Sequence, residues 1–533
     1  MKRFLSFLAP VLVAVSLLTV SCKSDKVPAN SAEMDAYLAE ASYLNHLPDQ
    51  APILLSIHPL QLLAKSGFAT DDDFAGFRDK LFESVGPVQR MAILAVLQNP
   101  SLAGLDPAHP LVLAIDGIEA TKKDLKCDVY AVLPLTNRDL FIKSINQAGA
   151  GLEADENGKY EMKEDKLAFA ILPDAILFFG TIGRVDADYV AKKLDKMAAK
   201  SSLYVGSPLA ESVLMAGDDL ALHFSKEFSP RLMDWVSEQV DDDIVKLLGG
   251  NPLEDVSLAL QANCVTGKAV LDCHIDGSNP LLDRYLSWVG TPDKDDLRLL
   301  PASLDLAGQQ AFQNLPDMLD YIQEVLDRSG RFDGINIQDV LQSFGIEKDD
   351  LNDIGTLTTG YDFNIAAADD FVLLLKVGKR LASILENKLA GLGLERDPEK
   401  DDMLHITGDV YLGFWDEFLV LTTGSLLDFG YGSFLEDEEV LAGAIQGNST
   451  VVDLSLSLGL SGFSHAQILA GYPDGQLNVF TAYPDDNAAK TIFLSIIDYV
   501  NTYVFTTEDD EGFDEFYAGD FDGDFDEDFD YLY

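Results

Sequence analysis

The sequence predicts an α+β fold: two tandem, divergent repeats of largely antiparallel sheet with flanking helices. Three observations predict it. Strand-length apolar runs come in pairs separated by turn formers, the pattern of hairpins rather than of βαβ crossovers. Helical periodicity follows the hairpins instead of alternating with single strands. The order of these segments also recurs along the chain.

Before the repeating part, Met34 to Tyr43 reads as a short helix and Pro52 to His58 as a strand. Pro59 to Ser66 is a helix opened by its Pro and stopped by Gly67. Val88 to Gln98 is a largely apolar helix. The repeating part starts with a strand at Asp128–Leu135 and a helix from Leu140 to Gln147, matched by a strand at Asp370–Val377 and a helix from Arg380 to Lys388. Next come two hairpins with acidic turns. Leu167 to Gly180 turns at Pro173-Asp174, and Val410 to Gly424 turns at Trp415-Asp416-Glu417. Asp219–Phe224 answers Val451–Leu458. The hairpin from Val256 to Ile275, turning at Thr266-Gly267, answers one from Ala466 to Tyr483 with its turn at Asp474-Gly475. Each final hairpin ends in an acid (Asp276, Asp485) and feeds an apolar-periodic helix, Pro280–Val289 or Ala488–Tyr503.

The offset between the halves is 242 to 244 for the early pairs and about 210 for the last hairpin. The first half therefore carries roughly 30 extra residues, with Ser229 to Gly249 the natural insertion. The joint is the polar stretch Gly290 to Asp296, and the second half opens with a helix from Leu315 to Arg328. The repeats are expected at residues 36–290 and 297–505.

The N-terminus reads as an export signal over residues 1–21. Lys2 and Arg3 precede an uncharged apolar run from Phe4 to Val20, and Ser21-Cys22 follows. A small residue before Cys is the lipobox arrangement, although Thr19 stands where Leu is usual. Cys22 is the expected lipid-attachment residue, its thiol acylated with palmitate-type chains, and residues 22–35 form a polar tether. No later apolar run approaches the ~20 residues of a spanning helix. The expected product is a lipoprotein of the cell envelope, with the membrane its first partner. Lys23 and Ser24 take the place of an inner-membrane-retaining Asp, so the outer membrane is the expected destination.

The chain of 533 residues has 89 acidic and 38 basic residues, a net charge of −51. Such an excess excludes nucleic acid as a partner, because binding it needs Lys and Arg on phosphates. Besides Cys22 there are Cys127, Cys264 and Cys273. A turn at 266–267 puts Cys273 opposite Leu260, so Cys264 lies four residues further along the strand, about 13 Å away at ~3.3 Å per residue. A disulfide needs Cα atoms within about 7 Å, so three free, buried thiols are expected.

From Glu508 to Tyr533 the chain has 13 acidic residues in 26 and no Lys or Arg. Its composition predicts a disordered acidic tail. Asp520, Asp522, Asp524, Asp526 and Asp528 are candidates for weak, diffuse calcium association. They do not form a shaped site, because a calcium loop starting at Asp520 needs Gly at 525 and Glu at 531, where this chain has Phe525 and Tyr531.

Catalytic and cofactor patterns are missing. There is no Gly-x-Ser-x-Gly elbow (Gly430-Tyr431-Gly432-Ser433 lacks the closing Gly), no phosphate loop and no dinucleotide fingerprint. None of the seven histidines (His46, His58, His109, His223, His274, His405, His465) makes a paired zinc pattern, and no cofactor is expected.

The opening of the mature body, Ile53 to His58 followed by Pro59-Leu-Gln-Leu-Leu-Ala-Lys-Ser-Gly67-Phe68, resembles a large family of uncharacterised Bacteroidetes lipoproteins, catalogued as a domain of unknown function. The likeness in layout extends from about residue 35 to 505. It implies an envelope lipoprotein and brings no catalytic residues with it. The favoured reading is a membrane-anchored, non-catalytic binding or scaffold protein. Its partner is an unidentified envelope protein or glycan, held between the repeats or on a sheet face. The alternative is an envelope hydrolase acting on glycans or peptides through carboxylates the sequence does not single out. Its mark is a deep pocket with two facing acids of perturbed pKa.

Overall fold

The computed structural model describes residues 31–503 except 84, 121–124, 148–150, 156–158, 232–243, 301–303, 331–333, 335, 363–369, 392, 398–402, 424–447 and 456–461. Cys22, the signal segment and the acidic tail with Asp520 to Asp528 lie outside the described residues.

The first nine strands are β1 (Ile53–Ile57), β2 (Leu111–Ala120), β3 (Leu125–Pro134), β4 (Tyr160–Lys163), β5 (Leu167–Ile171), β6 (Ala175–Ile182), β7 (Leu220–Phe224), β8 (Ser257–Val265) and β9 (Lys268–Asp276). They pair in the order β4-β5-β6-β3-β2-β1-β7-β8-β9, every neighbour antiparallel. The next ten are β10 (Leu306–Ala311), β11 (Ile354–Asp362), β12 (Asp370–Val377), β13 (Arg396–Asp397), β14 (Met403–Thr407), β15 (Val410–Trp415), β16 (Phe418–Thr423), β17 (Asn448–Ser455), β18 (Phe463–Gly471) and β19 (Asp474–Thr481). They pair as β13-β14-β15-β16-β12-β11-β10-β17-β18-β19, again all antiparallel. Apart from the two-residue edge strand β13, the two runs share one pairing order. They join where β9 pairs antiparallel with β19, with Leu271 opposite Leu477. The result is one continuous α+β sheet.

The helices are α1 (Ser31–Glu40), α2 (Pro59–Ser66), α3 (Ala75–Leu81), α4 (Pro87–Gln98), α5 (Arg138–Gln147), α6 (Ala187–Ala199), α7 (Pro208–Met215), α8 (Ile244–Leu248), α9 (Pro280–Leu286), α10 (Lys294–Leu297), α11 (Leu315–Ser329), α12 (Ile337–Ser343), α13 (Lys379–Ala390) and α14 (Ala488–Tyr503). Local chemistry sets their ends. Pro59 opens α2, and Gly67 closes it at φ +70°, a left-handed position that costs glycine nothing. Asp186 caps α6 by accepting the Tyr189 N–H, and Asn279 caps α9 through the N–H groups of Leu281 and Leu282.

In the first run, one sheet face carries Leu54, Val112, Val132, Leu177 and Phe179. Over them close Leu38 of α1, Val190 and Leu194 of α6 and Leu214 of α7, all buried. The other face packs Ile171 and Ile176 under Ile142 of α5. In the second run Ala307, Val372, Leu374 and Val420 pack with Leu300, and the opposite face meets Leu315 of α11 and Leu381 of α13. The expected joint is itself packed. Gly290 to Asp296 runs into α10, where Leu297 is fully buried and Asp296 is 3 % exposed.

The helices that end each half reach across. Arg284 of α9 forms ion pairs with Asp317 (3.1 Å) and Glu324 (3.2 Å) of α11. Lys490 of α14 forms ion pairs with Asp71 (2.8 Å) and Asp73 (2.7 Å), just beyond α2. Ala488 and Ala489 pack on Cys264 of β8, with Leu62 and Ala269 beside them.

Two details of the sequence reading are corrected. The β18–β19 turn is Tyr472-Pro473, not Asp474-Gly475, because Ile468 pairs with Leu477 and Leu469 with Gln476. Proline has no N–H to give a ladder, so it takes the turn and leaves Asp474 and Gly475 in the strand. Helix α9 ends at Leu286, three residues short of the expected Val289.

Candidate functional site at the junction

Strands β8, β9, β19 and β18 form the middle of the sheet. Their apolar face lies under α9 and α14, with Val256, Cys273, Ile275 and Leu282 in one cluster and Cys264 in another. Side chains alternate along a strand, so the opposite face carries Lys268, Asp272 and His274 of β9, Asp474, Gln476, Asn478 and Phe480 of β19, and His465 and Gln467 of β18. This face is polar.

Its hydrogen bonds form a chain across the two runs. Lys268 Nζ donates to Asn478 Oδ1 at 2.9 Å, Asn478 Nδ2 to Gln476 Oε1 at 2.8 Å, and Gln476 Nε2 to Asp272 Oδ1 at 2.9 Å. An ammonium at one end and a carboxylate at the other polarise the two amides between them in one sense. Asn478 and Gln467 are buried. Lys268, Phe480 and His465 stand directly opposite one another in successive strands. Lys268 Nζ lies 5.5 Å from the Phe480 ring centroid, and the His465 ring stacks on Phe480 with centroids 4.1 Å apart and planes 9° from parallel. Burial holds both Lys268 and His465 below their ordinary pKa. Asp453 of β17 lies opposite Gln467 and Ala307. Burial pushes its carboxyl up to about 6, against a lowering hydrogen bond from the Leu454 backbone.

A cavity of about 550 Å³ opens at the Lys268 end, lined by Thr266, Lys268, Ser464, His465 and Phe480 among others. At the other end of the junction, about 290 Å³ lies between Tyr285, Leu286, Ser449 and Tyr472, and His274 Nδ1 meets Asp474 Oδ1 at 2.6 Å nearby in β9 and β19. A third cavity of about 320 Å³ beside α14 contains Asp498 as its single carboxylate. None of the three holds two facing acids.

The remaining histidines and cysteines serve the fold. His223 is buried and pushed down to about 4 by burial. His58 is buried, and its Nε2 has no hydrogen-bond partner. His109 contacts Asp106 at 2.9 Å, His46 the Met197 carbonyl at 3.0 Å, and His405 the Gly408 carbonyl at 2.7 Å. Cys127, Cys264 and Cys273 are buried thiols outside any disulfide, and Cys273 lies opposite Leu260 as the turn geometry requires. Cys273 and His274 point to opposite faces. Among the described residues no group of three His, Cys, Asp or Glu side chains is arranged to hold a metal ion, and no helix is long and apolar enough to cross a membrane.

The sequence reading did not single out Lys268, Phe480, Asn478 or Asp453. A signal was present: polar residues at most alternate positions of β9 (Lys268, Asp272, His274) and β19 (Asp474, Gln476, Asn478), in hairpins flanked by apolar helices, place a largely polar face in the middle of a sheet.

No family model and no curated protein matches this chain. Among solved structures, crystal forms IV, III and I of TP0453 are similar at 9 %, 12 % and 11 % identity. They cover 43 %, 47 % and 47 % of this chain and 79 %, 89 % and 88 % of theirs, with TM-scores of 0.23, 0.23 and 0.22. An overlap of that size supports no inference about fold or activity.

Proposed function

We propose that this chain is an envelope lipoprotein, anchored through Cys22, whose body is a non-catalytic binding platform built from two tandem repeats. The observation that carries the binding reading is the polar face at the β9–β19 junction. There, side chains from both runs meet in one hydrogen-bonded chain beside a 550 Å³ cavity. Sites of this size with a few converging polar groups are typical of ligand binding. The shared pairing order supports the repeat reading, and the layout of signal, Cys22 and tether supports the anchor.

A glycan or peptide hydrolase is disfavoured by the same geometry. Asp453 is the one acid on this face with a carboxyl raised to about 6, and its cross-strand neighbours, Gln467 and Ala307, do not titrate. Acid–base catalysis by carboxylates needs a second acid facing the first. The test is capture of envelope components on the native acylated protein, with the Cys22→Ala variant fractionated alongside. The proposal expects Cys22→Ala to leave the membrane fraction and lose palmitate labelling, and a specific glycan or protein to be retained on the wild-type body. Continued labelling of Cys22→Ala contradicts the anchor, and turnover of the captured component contradicts the binding role.

A further inference from the structure

We propose that the cavity at the Lys268 end of the junction binds a hydroxy-carboxylate of sugar size, an acidic sugar, through the Lys268 ammonium and the His465 imidazole. This rests on the binding-platform reading and names its ligand class.

Lys268 is the first element. In a chain of net charge −51 it is half-buried, and it has no carboxylate within ion-pair distance among the described residues. One of its three N–H groups goes to Asn478 Oδ1, and the ammonium lies over the Phe480 ring. Two N–H groups and one positive charge remain beside the cavity. The cavity's lining contains no Asp or Glu to take them up. A buried charge is costly unless it is paired, so an anionic ligand removes a penalty the empty site carries.

His465 is the second element. Ser464 Oγ lies 3.0 Å from His465 Nδ1, and it donates its own proton to the backbone carbonyl of Phe480 at 3.3 Å. Ser464 Oγ thus occupies Nδ1 and leaves Nε2 as the open ring nitrogen. Nε2 has no partner among the described residues, and the ring lines the cavity. A hydroxyl both donates and accepts, so it can pair with Nε2 in either tautomer. Burial holds the imidazole below its ordinary pKa, so it adds no second charge at neutral pH.

One ammonium suits a monoanion. A carboxylate matches it, whereas phosphate brings a second charge, and the lining contains no Arg or second Lys to meet it. An ammonium for a carboxylate, an open imidazole nitrogen for a hydroxyl and a volume of about 550 Å³ together select a sugar acid.

The experiment is titration calorimetry on the full mature chain with galacturonate, galactose and inorganic phosphate as probes, repeated on Lys268→Met and His465→Phe, with thermal melts to establish that both variants fold. We expect galacturonate to bind at least tenfold more tightly than galactose or phosphate. Lys268→Met should lose at least tenfold for galacturonate while its weak galactose affinity stays unchanged. His465→Phe should weaken both sugars. Equal binding of galactose and galacturonate, preference for phosphate, no binding of galacturonate, or wild-type affinity in a folded Lys268→Met each overturns the assignment. If envelope components are still retained by Lys268→Met, the platform reading stands and only this ligand assignment fails.

Discussion

The two strand runs share a pairing order and bury opposite charges with it. In the first run an acid sits on the sheet. Asp128 of β3 is 2 % exposed and takes Lys193 Nζ at 2.8 Å and the Tyr189 hydroxyl at 2.6 Å, both from α6. In the second run the sheet residue is the cation. Lys376 of β12, the strand in the matching slot, reaches Asp296 at 2.9 Å and Asp293 at 3.0 Å around α10, and Thr356 donates to Asp296 at 2.8 Å. The same contrast recurs one strand beyond the first strand of each run. His223 of β7 lies opposite Leu54, and Asp453 of β17 lies opposite Ala307. One run buries a base there and the other an acid. The positions are not equivalent, since the sequence match sets Asp128 against Asp370 and Pro134 against Lys376, so the difference teaches that matching strands place polar groups of either sign at different points.

The largest expected effect is on the second run. Lys376→Met leaves Asp296 buried without its cation, and removing one partner of a buried pair costs about 3–5 kcal/mol. The urea midpoint should fall accordingly. Adding Asp296→Leu to Lys376→Met should recover most of the loss, and no recovery would show that the pair is not the cause.

Acid should strike the first run next. His223 is depressed to about 4 when folded, so folding loses stability as pH falls from about 6.5 towards 4, because the unfolded chain takes up a proton the folded one refuses. The loss from this residue is about 3 kcal/mol at about 1.36 kcal/mol per pKa unit. His223→Leu should remove that part of the acid sensitivity, and an unchanged pH profile would contradict it.

Lys193→Met should cost less, about 2 kcal/mol, because Asp128 keeps the Tyr189 hydroxyl and has Arg184 at 3.6 Å. A cost matching that of Lys376→Met would mean the two pairs do not differ in this way.

The smallest effect has the opposite sign. Asp453 is raised to about 6, so its charged form is penalised in the fold above that pH, and the penalty lifts as pH falls through 6. Asp453→Asn should stabilise the protein at pH 7 by about 1 kcal/mol, after allowing for partial solvation. It should make no difference at pH 4, and melts at both pH values test this.

Local chemistry made much of the fold legible. Helix Pro59–Ser66 with its Gly67 stop, the strand before it and the Thr266-Gly267 turn all follow from residues within one turn of each other. The turn at Tyr472-Pro473 was misplaced because Asp474-Gly475 looks like a hairpin turn until the missing proline N–H is weighed. The junction site was harder to read, since Lys268 and Phe480 are neighbours only because β9 pairs with β19 across more than two hundred residues. The Lys376–Asp296 pair is hidden for the same reason, as nothing local marks which of 89 acids meets which lysine.

The most direct test of the account is capture of envelope components on the native lipoprotein, comparing wild type with a junction variant, Lys268→Met with Asn478→Ala, and with an exposed edge control, Lys159→Ala. The account expects the retained component to be lost from the junction variant and kept by the edge control. Equal retention by all three would place binding elsewhere and contradict it.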